Sequence, residues 1–233
     1  MTTQPTKPKK NNTFLELIFN IIIPSLILMK LSGDEYLGTV NGLIVALAFP
    51  IAYGIYDFVQ SKTFNFISLL GFLSTLLTGG IGLFELDAEW LAIKEAAIPA
   101  IIGLVVLVSG FSGKPLLAKL MLNPTLFNLN LIYDTLAEKG NVAEFKSKIN
   151  TANHLLASTF VFSAAANYIL AKMIVTSQAG TVEFNEQLGE MTLVSYPVIA
   201  IPSLIMLIGI MIYVVKTITR LTGLKFEQAL SQE

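Results

Sequence analysis

Long runs of residues without any charged side chain constrain this chain more than any other feature. Residues 191–215 contain no Asp, Glu, Lys or Arg, and neither do residues 36–56 or 63–84. A helix needs about 20 mostly apolar residues to cross a hydrocarbon core of about 30 Å. We therefore predict an all-α fold, a polytopic integral membrane helical bundle. Its six transmembrane helices are predicted near residues 13–31, 36–57, 63–84, 92–112, 149–172 and 191–215.

The composition agrees with a membrane protein and excludes several other classes. Apolar residues make up 54% of the chain, charged residues only 13%, and the mean hydropathy is +0.69. A soluble domain carries about 25% charged residues. The sequence has no basic stripe with interleaved aromatic residues, so we expect no nucleic acid as a partner. With one histidine and no cysteine, most metal sites and nucleophile–base pairs are excluded, and we expect neither an enzyme nor a cofactor.

The distribution of lysine and arginine predicts the orientation, because positive residues concentrate on the cytoplasmic side of a membrane. With a cytoplasmic N terminus, twelve of the 15 Lys and Arg residues fall on the inner side. Only Lys30, Lys94 and Lys172 fall on the outer side. Both termini are therefore predicted to be cytoplasmic. The resulting parts are a basic tail at 1–12, the transmembrane domain at 13–220 with a cytoplasmic connection at 113–148, and a second tail at 221–233.

The connection at residues 113–148 contains a candidate interfacial helix. Apolar side chains recur there at helical spacing, at Leu126, Leu129, Tyr133 and Leu136, as is typical of a short helix lying in the inner interface. The helix that follows is predicted to run unbroken from about residue 142 into the fifth span. The connection is either a structural element under the bundle or a docking surface for a partner.

Polar residues inside the predicted spans are costly there and tend to face protein or water. Glu16 and Asn20 lie on one face of the first span, and Pro24 leaves the carbonyl of Asn20 without its helical donor. Asn153 and Asn167 are 14 residues apart and therefore share one stripe of the fifth span, within about 40°. Hydrogen bonds between helices and a path for a solute or an ion both explain such residues. The candidate functional residues are Glu16, Asn20, Asp57, Lys94, Glu95, Asn153, Asn167 and Tyr168.

Lys94 and Glu95 lie side by side at the outer end of the fourth span, next to an acidic turn at residues 85–89. Lys94 is predicted to reach the lipid headgroups or a carboxylate of that turn. Glu95 points about 100° away from Lys94, and Lys30 and Lys172 are the cations available to it if it faces the bundle. The pair is therefore either an interfacial clamp or a functional site on the outer side.

The pentapeptide Ile-Pro-Ser-Leu-Ile occurs twice, at residues 23–27 and 201–205, in helices predicted to run in opposite directions. Transporters use inverted repeats in which interrupted helices occupy corresponding positions of the two halves. Apolar segments also share short identical stretches by chance, so the sequence leaves both an inverted repeat and a chance match open.

The third and fourth spans carry an ordered series of motifs. They are Lys62-Thr-Phe-Asn-Phe-Ile-Ser68, Leu77-Thr-Gly-Gly-Ile-Gly-Leu83, Trp90-x3-Lys94-Glu95-Ala96, Gly103-x3-Leu107-Val-Ser109, Lys114-Pro115-Leu116 and Met121-Leu122. Together with Asn153, Asn167 and Tyr168, these motifs resemble an uncharacterised family of bacterial inner-membrane proteins over about residues 60–175. They also resemble, more distantly, intracellular septation protein A. The resemblance implies a multi-pass protein of the bacterial inner (cytoplasmic) membrane that contacts wall-synthesis and division proteins, and it implies no catalytic residue.

Two functions are therefore compatible with the sequence. The first is a non-enzymatic inner-membrane protein associated with cell-envelope maintenance or septation through protein contacts. The alternative is a small secondary transporter or channel that uses intramembrane polar residues. A continuous polar cavity favours transport, whereas a dry core of small residues favours scaffolding. The expected partners are the lipid bilayer, envelope or division proteins, and a second copy of the chain in a homo-oligomer.

Overall fold

The computed structural model describes residues 17–61 and 66–231, and these residues are mainly helical. The helices are α1 (Ile23–Leu31), α2 (Thr39–Ser61), α3 (Phe66–Leu83), α4 (Glu89–Phe111), α5 (Leu116–Met121), α6 (Leu129–Glu138), α7 (Val142–Ile174), α8 (Val182–Ser195), α9 (Ile201–Thr222) and α10 (Phe226–Ala229). Two π-helical segments, Ile18–Ile22 and Tyr196–Ala200, directly precede α1 and α9. In the described part of the chain, the only β-type pairing is an isolated bridge between Phe127 and Leu230. The predicted all-α class is confirmed.

Four helical segments are long and apolar enough to cross a membrane. They are Thr39–Tyr56, Glu89–Phe111, Val142–Ile174 and Val182–Thr222, and they coincide with the second, fourth, fifth and sixth predicted spans. The apolar helices at the first and third predicted spans are shorter within the described residues, at Ile18–Leu31 and Leu70–Leu83. Length and composition therefore support four of the six spans, and the other two stay predictions.

Two helices extend beyond the predicted spans. α7 runs unbroken over 33 residues, as predicted for the helix after the connection. α8 begins at Val182, so residues 183–190, which the predicted spans leave in an outer loop, are helical. The reason is a cap, because Thr181 Oγ1 accepts a hydrogen bond from the backbone N–H of Phe184 at 3.2 Å.

The chain divides into two compact units, and the first comprises residues 1–91 and 171–194. Its described helices are α1, α2, α3 and α8. The backbone of α8 approaches α1 so closely that a Cβ on Gly189 would lie 2.8 Å from the carbonyl oxygen of Ser25. Small residues permit this approach of helix backbones in a membrane, so Gly189 fixes how α8 packs on α1.

The second unit comprises residues 92–170 and 195–233. Its core gathers side chains from α4, α5, α6, α7, α9 and α10. Leu117, Ile132 and Phe145 of this core are almost completely buried. The predicted cytoplasmic connection is therefore a packed layer of helices.

Within this layer, α6 occupies the place of the predicted interfacial helix but turns a shifted stripe inward. Leu136 and Ile132 are fully buried, whereas Leu126 is 53% exposed and Tyr133 is also exposed. The helix begins only after Asn128, whose side chain caps it. Leu126 therefore lies in the preceding turn, outside α6. Packing against the protein divides the rest of the predicted stripe, since Leu136 is buried and Tyr133 is exposed.

The C-terminal residues belong to the same layer. The backbone N–H of Asn128 donates to the carbonyl oxygen of Ala229 at 2.9 Å, and that of Ser231 donates to Leu126 at 3.0 Å. Residues 226–231 therefore pack against the connection, where the sequence analysis placed a cytoplasmic tail. We call the connection together with these residues the inner layer (residues 113–148 and 226–231).

Candidate functional sites

The helix that contains Asn20 is interrupted just before Pro24. In the π-helical segment there, the N–H of Ile23 donates to the carbonyl oxygen of Ile18, five residues back, instead of to that of Phe19. Because Pro24 has no N–H, the carbonyl of Asn20 also lacks the donor that an α-helix supplies. Two consecutive backbone carbonyls therefore lose their α-helical donors. We call residues 18–25 the first helix break.

Residues 196–203 repeat this arrangement, and we call them the second helix break. The N–H of Ile201 donates to the carbonyl oxygen of Tyr196, and Pro202 has no N–H. The carbonyls of Pro197 and Val198 therefore lose their α-helical donors. Each copy of the repeated pentapeptide thus directly follows a π-helical segment of equal length, and one copy lies in each unit. The repeated sequence is therefore accompanied by a repeated backbone conformation.

Each helix break also holds a serine hydroxyl that is hidden from solvent and has no hydrogen-bond partner among the described residues. These are Ser25, which is 1% exposed, and Ser203, which is half-buried. In the first helix break, Oδ1 of Asn20 is buried and unpaired in the same way. Val198 stands at the corresponding position of the second. The first helix break therefore contains two backbone carbonyls without their α-helical donors, and an amide oxygen and a hydroxyl without a partner among the described residues.

Lys94 and Glu95 bind each other. The Nζ of Lys94 lies 2.6 Å from Oε1 of Glu95, and Lys94 is only 8% exposed. The sequence analysis considered the headgroups and the carboxylates of residues 85–89 as partners of Lys94, and the flexible lysine side chain also reaches its immediate neighbour Glu95. Lys172, one of the cations considered for Glu95, pairs with Glu89 at 3.4 Å. The contacts agree with the interpretation of Lys94 and Glu95 as a clamp.

Asn153 is the centre of a polar network that joins three helices. Its Nδ2 donates to the carbonyl oxygen of Val106 at 2.7 Å, and its Oδ1 accepts from the N–H of Leu117 at 3.0 Å. Ser109 Oγ donates to Val106 at 2.6 Å and accepts from the N–H of Leu116 at 3.0 Å. The network ties α7 to the end of α4 and the start of α5. The prediction that Asn153 faces the bundle is confirmed, and its contacts are structural.

Asn167 and Tyr168 make no comparable contact across helices in the described residues. The Nδ2 of Asn167 donates to the carbonyl oxygen of Ser163 in the same helix, at 2.8 Å. The side chain of Tyr168 is exposed. Asn153 therefore bonds between helices, whereas Asn167, on the same predicted stripe, bonds within its own helix.

The packing of α4 against α7 shows which candidate residues share a level. A Cβ on Gly103 would lie 2.8 Å from the Cβ of Phe160. Together with the network around Asn153, this contact makes the two helices antiparallel. Eight residues before Gly103 and eight residues after Phe160, that register brings Glu95 to the level of Tyr168, the neighbour of Asn167. The polar candidates of α4 and α7 therefore fall at two levels, one at each end of the packed pair.

Asn185 of α8 is a buried polar residue that the sequence analysis missed. Its Nδ2 donates to Ser32 Oγ at 3.1 Å and to the carbonyl oxygen of Thr39 at 2.9 Å. It thereby links α8 to the end of α1 and the start of α2. A signal was present, because Asn185, Gly189 and Thr192 recur at the spacing of one helix face.

A groove of about 480 Å³ lies in the second unit, beside the end of α4 and the first turns of α7. Its polar lining includes Tyr133, Lys146 and Asn150. The Oδ1 of Asn150 is buried without a partner among the described residues, next to Gly110, where a Cβ would lie 2.9 Å from it. The groove thus combines the cationic side chain of Lys146 and the amide of Asn150 with apolar residues, and it can bind a small polar or anionic group.

Two candidate residues cannot be assigned to a site. Glu16 lies outside the described residues, and only the backbone of Asp57, in α2, is described. No protein-family model, curated protein or solved structure matches the chain. The resemblance to intracellular septation protein A stays a prediction.

Proposed function

We propose that the chain is a six-pass protein of the bacterial inner membrane with both termini in the cytoplasm. Four helices of sufficient length and apolarity support the membrane location, and the lysine and arginine distribution supports the orientation. Ile18–Leu31 and Leu70–Leu83 complete the six. A helix shorter than the hydrocarbon thickness is accommodated by local thinning of the bilayer and by snorkelling of its flanking residues.

Within that location, the function we favour is non-enzymatic maintenance of the cell envelope or septation through protein contacts. The observation that supports it best is the inner layer, in which the connection and the C-terminal residues fold around a common core. This layer presents Leu120, Leu126 and Phe226 as exposed apolar side chains. Contiguous exposed apolar patches are typical of protein contact surfaces, and we propose that these side chains contribute to one. The inner layer is therefore the surface through which we expect partners to bind.

The polar residues of the second unit support a scaffold as well. Asn153 has both ends of its amide bonded to backbone groups, and Lys94 is paired with Glu95. Gly103 allows α4 and α7 to pack in close contact. A core of small residues in contact is the feature that the sequence analysis associated with a scaffold, and these paired polar groups are explained by bonds within the protein.

Photo-crosslinking in cells from the inner layer tests this function. A photoreactive residue replaces Leu126 or Phe226, and the adducts are identified by mass spectrometry. Recovery of wall-synthesis or division proteins is the expected result. The matched control is Leu204, an equally apolar and exposed residue of α9, where we expect lipid adducts. If Leu126 and Phe226 also give only lipid and self-adducts, the scaffold proposal is wrong.

The second candidate function is a small secondary transporter or channel, and the paired helix breaks favour it. Interrupted helices at corresponding positions of two halves are the arrangement that transporters use to bind substrates and coupling ions. Reconstitution into liposomes tests this candidate, with flux measured for the wild type and for Glu95→Gln and Glu16→Gln. Loss of flux in either variant supports it, and absence of any flux in the wild type for Na⁺, K⁺ and H⁺ removes those ions as its cargo.

A further inference from the structure

We propose that the groove in the second unit binds the phosphate group of an anionic phospholipid, with Lys146 and Asn150 as hydrogen-bond donors. The inference rests on the proposed membrane location, but it is independent of the proposed protein partners, because a lipid site needs no second protein. The charge of the groove, the orientation of one amide and the position of the groove at the end of a long apolar helix support it.

The lining of the groove carries a positive charge that no neighbouring carboxylate neutralises. Lys146 lines the groove, and none of the described residues that line it is acidic. Lys146 also forms no ion pair within the described part of the chain. Glu144, two residues earlier, binds Arg220 at 2.9 Å instead. The ammonium group of Lys146 is therefore available to an anion.

The amide of Asn150 presents its donor end to a ligand. Its Oδ1 is buried without a partner among the described residues, and it lies against Gly110 of α4, where a Cβ would be 2.9 Å away. Its Nδ2 is not buried and donates to no described group. Because the oxygen is turned onto α4, the NH₂ group is the end that a ligand in the groove can reach. Asn150 therefore offers a donor, as Lys146 does.

Lys146 and Asn150 lie close enough to bind one group together. They are four residues apart in α7, and this spacing brings the Cβ atoms of two helical residues to about 5–6 Å on one face. Both line the same groove, together with the hydroxyl-bearing Ser147 and Tyr133. A phosphate has several acceptor oxygens around one atom, and its hydrogen bonds to an ammonium group are charge-assisted. The lining therefore suits a phosphate better than a neutral or cationic group.

The position of the groove favours a lipid over a free phosphate ion. The groove lies beside Gly110, in the last turn of Glu89–Phe111, one of the helices long enough to cross a membrane. Leu122, Phe145 and Ile149 make much of its lining apolar. Its volume of about 480 Å³ leaves room beside a phosphate for glycerol and the start of an acyl chain. Basic pockets between membrane helices on the cytoplasmic side bind anionic lipid headgroups, and this groove has the same character.

The test measures the thermal unfolding temperature Tm of the full-length protein in a nonionic detergent with added lipid. A ligand that binds the folded state raises Tm in a saturable way. We expect short-chain phosphatidylglycerol to act at lower concentration than short-chain phosphatidylcholine, because the choline cation meets Lys146 and no described carboxylate of the lining. Inorganic phosphate at the same concentrations should have little effect, since it cannot use the apolar part of the groove.

Variants then locate the lipid. Lys146→Gln should raise the half-saturating concentration of phosphatidylglycerol about tenfold, because it removes a charge-assisted hydrogen bond. Asn150→Leu should raise it about fivefold, as expected for one hydrogen bond. Lys148→Gln is the matched control, because Lys148 lies in the same helix, about 200° around it from Lys146, and does not line the groove. This variant should respond like the wild type.

Three results would overturn the proposal. They are an equal response to the two lipids, the same half-saturating concentration in Lys146→Gln and Lys148→Gln, and a response to inorganic phosphate as strong as that to phosphatidylglycerol, which would indicate a site for a free anion. Lys146 is exposed, so its variant should fold. If it does not, native mass spectrometry of the wild type decides, with preferential retention of phosphatidylglycerol expected and equal retention of both lipids as the contradicting result.

This experiment and the photo-crosslinking of the inner layer can fail independently, because lipid binding in detergent is measured without a partner protein. A Lys146-dependent response to phosphatidylglycerol, combined with only lipid and self-adducts from Leu126 and Phe226, keeps the lipid site and removes the scaffold function. Adducts with division proteins and no Lys146-dependent response do the reverse.

Discussion

The two helix breaks share the start of a repeated pentapeptide and a backbone conformation, but they differ in their surroundings. In the first, Pro24 and Ser25 are buried and α8 lies against the backbone. In the second, Ile201 and Leu204 are exposed and Ser203 is only half-buried. The comparison separates two questions, namely what creates such a break and what the protein does with it.

The break itself has a local cause. A proline ring clashes with the carbonyl four residues before it and removes one hydrogen bond. An extra residue in the preceding turn, which is a π-helical segment, relieves the clash. Both Pro24 and Pro202 follow such a segment, so the repeated pentapeptide is accompanied by the same helix break in two places. The use of the break depends on residues far away in sequence, above all Gly189 and Asn185 beside the first.

The largest effect is expected when a larger side chain is placed between α8 and the backbone of the first helix break. In Gly189→Val, the new side chain meets the carbonyl oxygen of Ser25, at 2.8 Å already for its Cβ. We expect a loss of about 2–3 kcal/mol in the free energy of unfolding, since overpacking moves backbone. The measurement is reversible unfolding in mixed micelles.

Gly209 in α9 is the matched control for this variant. A Cβ there would meet nothing within 4 Å in the described structure, and alanine favours a helix over glycine by about 1 kcal/mol. Gly209→Ala should therefore be neutral or stabilising. A similar loss in both variants would mean that the loss in Gly189→Val does not come from the contact with the carbonyl of Ser25, and the comparison would fail.

A smaller effect is expected from Asn185, which holds α8 beside the first break. Asn185→Leu removes the bonds to Ser32 and Thr39, and hydrogen bonds between membrane helices contribute about 0.6 kcal/mol on average, with a maximum near 1.7. We expect a loss of about 1–2 kcal/mol. Asn167→Leu is the control, because Asn167 bonds only within its own helix, and it should change the free energy of unfolding by less than about 0.5 kcal/mol. Equal losses would contradict a special role for Asn185.

The sequence predicts part of this arrangement and misses part for identifiable reasons. Charge-free runs predict four of the long helices, and the 14-residue spacing places Asn153 on the packed face. Prolines predict an interruption at Asn20, but the extra residue of the π-helical turn has no signature of its own. Asn185 is surrounded by glutamates that suggest a loop, although Thr181 provides a readable cap.

The pairing of Lys94 with Glu95 could not be predicted from residue spacing, for another reason. Neighbouring side chains on a helix leave it about 100° apart, so spacing alone argues against contact. Whether a long lysine curls back or extends depends on what covers it, and Lys94 is covered. Burial of that kind is set by the packing of the whole unit and not by the local sequence.

The smallest expected effect compares the two serine hydroxyls directly. Ser25→Ala removes a buried hydroxyl that has no partner among the described residues, so it should raise the free energy of unfolding by up to about 1 kcal/mol. The hydroxyl of Ser203 is hidden from solvent and unpaired in the same way, so Ser203→Ala should give a gain of similar size although the residue as a whole is only half-buried. Unfolding of both variants in mixed micelles measures this. A Ser25→Ala variant that is less stable than the wild type would show that its hydroxyl has a partner after all, and the two serines would then differ in kind.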